Sequence, residues 1–552
     1  MFDPDIAPSG TLLGLLQRGR GDGPLHALAA PRAEALAALE QCVLRDPRLD
    51  WRVESRSLYY ARLYSDLEGP LDGIEQHLFH PDDLVSPDEH RCGLALSVLG
   101  HLAGYGRRDA LRLLRRYAAA GGCWEWALDE LAVRDDEAGL RALGPAVVAR
   151  FPATEEGEAD LARAVREAYE PRPWQLWAED GAHPATAERV RRAAERVSFD
   201  RWQRQLRSGG PTPGWSVAAV LEWAQDGLAA HPGVERDQPA ARCLGAVAGP
   251  EDRPALLRAA LHGPSAARAA ALRHLTDRRD PARFDLIEAA AGDGDERVLR
   301  AAVESFERLR DAEALERARI WADRADARSV AADRTPPSAD PLGPVDAPGG
   351  LDPLGSAAAR VLARHGGPED AGRVLSALRR TVRIGGADAD GLDALIEGVG
   401  RLASGAGGFG EPCEGPSGAD PREEASRADA GDRAPGADAR AGRPGRGDHD
   451  GRATACRAAP VLRHVYRETS SSHLRGTAAH ALAEADPGFA AGFAVECLWD
   501  CEESTRELAA RRAASGDVRV LAQLRRLAAD PAEEAEVQTA VRGRLSAGGA
   551  AR

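Results

Sequence analysis

Helical stretches of 10 to 18 residues alternate along this chain with stops of only two or three residues, and that rhythm limits the fold more than any other feature. Pro31 to Val43 opens on a proline, whose missing N–H has no helical partner in a first turn, and then repeats Leu36, Leu39 and Val43. Arg107 to Tyr117 gathers Ala110, Leu111, Leu113, Leu114 and Tyr117 on one side. Steps such as Arg45-Asp46-Pro47, Asp280-Pro281 and Asp530-Pro531 end one helix and cap the next within a turn. Neighbouring helices are therefore predicted to pack antiparallel. Aromatics are only 5% of the chain while Ala, Leu and Arg dominate, so the composition favours helix over sheet. The predicted class is all-α.

The middle of the chain repeats itself. Gly249-Pro250-Glu251-Asp252 leads a helix through Leu257, and Pro264 to Leu275 supplies a second. Arg279-Asp280-Pro281 then leads to Leu286-Ile287 and to a helix from Glu296 to Leu309. Gly367-Pro368-Glu369-Asp370 restarts the pattern with Val374, Leu375 and Leu378. Leu257 to Ile287 spans 30 residues and Leu275 to Leu309 spans 34. A helix pair of this length cannot bury its own apolar face and must stack on a neighbour. In this the chain resembles the HEAT-repeat superfamily, which implies a right-handed α-solenoid of antiparallel helix pairs. Met1 to Leu16, Glu54 to Arg62 and Glu496-Cys497-Leu498-Trp499-Asp500-Cys501-Glu502 are similar to an uncharacterised HEAT-repeat family of high-GC actinobacteria. That resemblance covers most of the chain and implies no activity.

Two segments interrupt the array. Residues 403 to 460 contain no Leu, Ile or Val, and 17 of the 53 residues from Ala403 to Ala455 are Gly or Pro. Such a stretch cannot offset its ordering entropy and is predicted to be disordered. Thr335 to Gly355 carries six prolines and reads as a stiffer linker. The expected organisation is a helical body over 1–330, a linker over 331–356 and helices over 357–402. A disordered insert over 403–459, helices over 460–546 and a short tail over 547–552 complete it.

What the chain lacks excludes much chemistry. All 72 basic residues are arginine, and there is no lysine and no asparagine. No P-loop lysine, Schiff-base lysine or kinase-type lysine is available, and no N-glycosylation acceptor. The net charge of −15 disfavours nucleic acid and anionic membranes as partners, and eight scattered cysteines do not make a disulfide framework. The Leu12 to Leu16 run is too short for a signal-peptide core, and no run reaches the ~18 apolar residues of a membrane span. The cytoplasm is the expected location.

The motifs that invite a catalytic reading carry simpler ones. Gly405-Ala406-Gly407-Gly408-Phe409-Gly410 matches a dinucleotide loop but lacks the strand before it and the helix after it. His77 and His80 are followed by Pro81, which ends their helix, and Asp82-Asp83 reads as the next cap. Cys497 and Cys501 have no partner ligands at metal spacing and read as core thiols. The absence of any His-Glu pair argues against the di-iron hydroxylases built on HEAT repeats. Thr469-Ser470-Ser471-Ser472-His473 reads first as an N-cap. No catalytic residue, metal site or cofactor is assigned.

Binding candidates remain. Arg108, Arg112, Arg115 and Arg116 stripe one helix face, and Arg189 to Arg207 holds seven arginines against Glu195 and Asp200. Given the acidic total, these stripes read as solvated faces paired with acids. Seven of the ten tryptophans lie between Trp124 and Trp223. Trp124 and Trp126 sit about 200° apart on a helix, so they are not expected to share a face. Burying an indole of ~200 Å² is worth up to about 5 kcal/mol, so most tryptophans are predicted to be core and any on the surface an anchor. Glu496 stands alone in the apolar stretch from Phe489 to Trp499, read as one helix, and calls for an arginine partner. The candidate partner-binding residues are therefore Trp124, Trp126, Arg201, Trp202, Arg204, Glu496, Trp499 and Asp500. The expected function is a non-catalytic scaffold or adaptor that binds another protein. The alternative, a HEAT-fold enzyme such as a DNA-repair glycosylase, would place Arg201, Trp202 and Arg204 in a groove beside a carboxylate.

Overall fold

A computed structural model describes residues 6–47, 56–81, 89–200, 215–230, 235–333, 351–404, 446–514 and 516–550. These residues form α-helices and three short 3-10 turns, with no strand among them. Of the candidate residues, Arg201, Trp202 and Arg204 lie outside the described residues, as does the glycine-rich match at 405–410.

The helix boundaries follow the capping chemistry. The predicted Pro31 to Val43 segment is the Arg32–Leu44 helix with Pro31 as its N-cap. Thr11, Asp136, Thr154, Asp295 and Asp517 each cap a helix by accepting a backbone N–H from its first turn. The two Gly-Pro-Glu-Asp sequences fold alike. Pro250–Asp252 and Pro368–Asp370 are both 3-10 turns, in which the Gly249 and Gly367 N–H groups donate to Asp252 and Asp370 at 3.0 and 3.2 Å. Each turn leads directly into a helix, Arg253–His262 and Ala371–Gly385.

The chain divides into two compact units. The first comprises residues 1–210, 467–476 and 490–552, and the second residues 211–466 and 477–489. Within the second unit, the Ser265–Asp277 helix is buried along most of its length among its neighbours. There Arg273 is buried and pairs with Asp237 at 2.9 Å. Helix Arg446–Glu468 begins inside the stretch expected to be disordered and carries Pro460 internally.

The first unit is discontinuous in sequence, and buried ion pairs join its early and late parts. Arg475 and Asp500 are both fully buried and meet at 2.8 and 3.0 Å, while the Arg475 guanidinium also donates to the Gly19 carbonyl. Glu533 lies between Arg62 at 2.9 Å and Arg506 at 2.7 Å, and Asp530 takes a second bond from Arg62 at 2.8 Å. Burial alone would raise the Glu533 carboxyl, but the two guanidiniums outweigh it and hold it below its ordinary range. Gly19 has a φ of +68°, which suits glycine, and an added Cβ would lie 2.3 Å from the Cys501 Sγ.

The single helix expected from Phe489 to Trp499 is not present. A 3-10 turn covers Phe489–Ala491, and a separate helix covers Phe493–Cys497. Gly492 separates them with a backbone conformation of φ −112° and ψ −96°, outside the helical region. Apolar composition set the expectation, and the glycine overrode it.

Candidate functional site

Two adjoining cavities in the first unit bring together the most distinctive chemistry among the described residues. The smaller encloses about 460 Å³ and is built on the Trp124–Arg134 helix, which follows Cys123 at its N-cap. Trp124 opens that helix and Trp126 follows two residues later, yet both line the same cavity. Trp124 is the first residue of the helix, and the N-cap Cys123 beside it also lines the cavity. Trp124 meets Phe151 and Trp174 edge to face at 5.7 and 6.2 Å, and Trp174 in turn packs on the buried Trp177 at 4.9 Å. Trp177 is fixed by its indole N–H donating to the Leu140 carbonyl. Trp126 is fixed by its indole N–H donating to Ser97 at 3.2 Å. The wall is thus packed and hydrogen-bonded, while Tyr169, 84% exposed, forms an open lip.

Carboxylates complete this cavity. Glu125 and Asp129 come from the tryptophan helix, Glu89 from the start of the Glu89–Gly104 helix and Glu167 from the end of the Glu155–Glu167 helix. Among the described residues no basic side chain lines it. Burial raises the Glu125 carboxyl, and the charges of Glu167 and Glu89 raise it further against the pull of Arg150 and Arg163. Burial pushes Asp129 up to about 6, and although the Glu170 N–H donates to it, the negative charges of Glu170 and Glu125 oppose its ionisation.

The larger cavity, about 710 Å³, shares Trp126, Asp129 and Tyr169 with the first and continues to Ser57, His101, Glu130 and Arg134. Ala532 and Glu534, from near the end of the chain, also line it. Burial pushes His101 down to about 4, and the nearby Arg134 and Arg62 charges add to the effect, so the ring is neutral near pH 7. Ser57 Oγ lies 3.3 Å from His101 Nε2. Among the described residues no carboxylate pairs with that ring, so the contact lacks the orienting acid of a nucleophile–base–acid relay. Glu130 pairs with Arg134 at 2.6 Å, and Gly100 leaves it room, since a Cβ there would come within 2.0 Å of its carboxylate.

The remaining candidates fall elsewhere. Asp500 is 1% exposed with both oxygens engaged by Arg475, which places it inside the unit and away from any partner. Glu496 and Trp499 are half-buried, and the Glu496 carbonyl faces Gly21, where a Cβ would lie 1.8 Å away. Ser471 caps the Ser472–Ala485 helix through the Leu474 N–H, as capping chemistry predicted. In the arginine stripes, Arg115 pairs with Asp135, Arg116 with Glu75 and Arg189 with Glu158. Among the described residues no group of three His, Cys, Asp or Glu side chains is placed to hold a metal ion, and no helix is long and apolar enough to cross a membrane. Asp129, Glu130, His101, Ser57 and Arg134 carry no sequence motif. The one available signal is the run Trp124-Glu125-Trp126 followed by Asp129-Glu130, where aromatics and acids share one short helix.

The fold and the cleft define an all-helical protein with an acidic, tryptophan-lined groove. Compared with family models, with curated proteins and with solved structures, the chain matches none.

Proposed function

We propose that this chain is a non-catalytic, cytoplasmic scaffold of the HEAT-like solenoid kind, and that the tryptophan cleft grips a partner protein. Most helices pack on the next, or next but one, in sequence, which is the neighbour pattern of stacked helix pairs. The folding of the two Gly-Pro-Glu-Asp turns supports a repeat origin. The observation that carries the reading is the cleft itself. It offers large, packed aromatic surface with an 84% exposed tyrosine at its lip, the composition of an interface anchor. The described arginines of the basic stripes are largely engaged by acids, which favours this reading over a nucleic-acid enzyme.

The test is nuclease-treated affinity capture from the native host, run in parallel with the wild-type chain and a Trp126→Ser, Tyr169→Ser double variant. The expected result is a stoichiometric protein held by the wild type and lost by the variant. Equal capture by both, or no protein on either, would overturn the cleft as the binding surface.

A further inference from the structure

The walls of the smaller cavity select the chemistry of what enters it. Four carboxylates line it and, among the described residues, no basic side chain does, so an anion would meet net repulsion there even with Arg150 and Arg163 nearby. A neutral apolar group would desolvate Glu125 and Asp129 further, with only the Glu170 N–H on Asp129 and the Arg150 and Arg163 charges near Glu125 to offset it. A cation answers both the carboxylates and the electron-rich indole faces. Among cations, a planar guanidinium can lie against an indole while its edge N–H groups reach carboxylates on either side. A quaternary ammonium has no N–H to give, and a lysine ammonium is a compact, strongly hydrated charge that stacks poorly. The molecule already contains a partial version of this contact, because the Arg150 guanidinium lies 5.4 Å from the centroid of the Trp124 ring without lining the cavity.

We propose that this cavity receives the guanidinium of an arginine side chain presented by the partner, stacked against the tryptophan wall and hydrogen-bonded to Asp129 and Glu125. The proposal rests on the cleft being the binding surface and adds the identity of the group that fills it.

The full-length chain is titrated calorimetrically with N-acetyl-arginine amide and, separately, with the citrulline counterpart, which keeps the shape and removes the charge. The expected result is saturable binding of the arginine compound and affinity for citrulline lower by about ten-fold or more. Asp129→Asn, which keeps an oxygen to accept the Glu170 N–H, is expected to weaken arginine binding by at least about five-fold while melting no earlier than the wild type. Equal binding of citrulline, unchanged binding by the Asn variant, or no saturable binding up to roughly 50 mM would overturn the proposal. Partner capture that depends on Trp126 and Tyr169 but shows no arginine binding would remove the guanidinium and leave the scaffold. Arginine binding without any captured partner would do the reverse.

Discussion

Asp129 is held in the cleft at a cost to the fold. Its carboxyl titrates near 6 when folded, well above the ordinary aspartate value of 3.8, because burial and neighbouring acids oppose the charge. A group whose folded pKa is raised binds protons more readily in the native state, so stability is lost as the pH rises through 6. Asp129→Asn is therefore expected to raise the melting temperature at pH 7.5, with the gain shrinking below pH 6 and absent below about pH 4. Differential scanning calorimetry across that range checks it. His101 acts in the opposite sense. Its folded pKa near 4 lies below the unfolded 6.5, so the unfolded chain takes the proton first and stability falls as the pH drops from 6.5 to 4. The loss amounts to at most about 3 kcal/mol. A His101→Gln variant is expected to flatten that part of the stability profile in urea titrations at pH 7 and pH 4.5.

Elements dock in this fold where glycine lets backbones approach. Gly19 accepts the Cys501 N–H at 3.0 Å, has a positive φ and has the Cys501 thiol where a Cβ would go. Gly19→Ala is expected to cost about 2–4 kcal/mol, read from denaturant midpoints, because backbone strain and overpacking add. The same scale shows what could be read in advance. Helix existence, class and many ends were legible because prolines, caps and apolar spacing act locally, as at Arg32–Leu44 and in the two Gly-Pro-Glu-Asp turns. The break at Gly492 was not, since apolar composition alone does not tell a helix from a turn. Only part of the cleft was legible. Trp124 and Trp126 stood out as bulky residues, whereas Glu89, Asp129 and Glu167 become one acidic site only when three helices converge. Asp500 was misplaced for a related reason, because its partner Arg475 is supplied by a different helix.

For the molecule as a whole, the decisive feature is that the first unit is assembled from the two ends of the sequence. The Arg475–Asp500 pair is fully buried, so removing one partner leaves an uncompensated charge. Arg475→Met is expected to cost about 3–5 kcal/mol, and Arg475→Met with Asp500→Leu to recover much of it, as measured by equilibrium unfolding. This arrangement also sets a schedule for the newborn chain. Helices before residue 210 leave the ribosome first, but the acids that neutralise Arg62, and the thiol that sits against Gly19, come after residue 490. At ~5–20 residues per second, that interval lasts on the order of tens of seconds. Throughout it Arg62 awaits both of its carboxylates and Gly19 the Cys501 that covers it, while the early helices already share one apolar core in which, among the described residues, Cys501 is the sole late member. A chain lacking residues 490–552 would therefore keep the core of its early helices but leave the part-buried Arg62 guanidinium with neither Asp530 nor Glu533 to neutralise it.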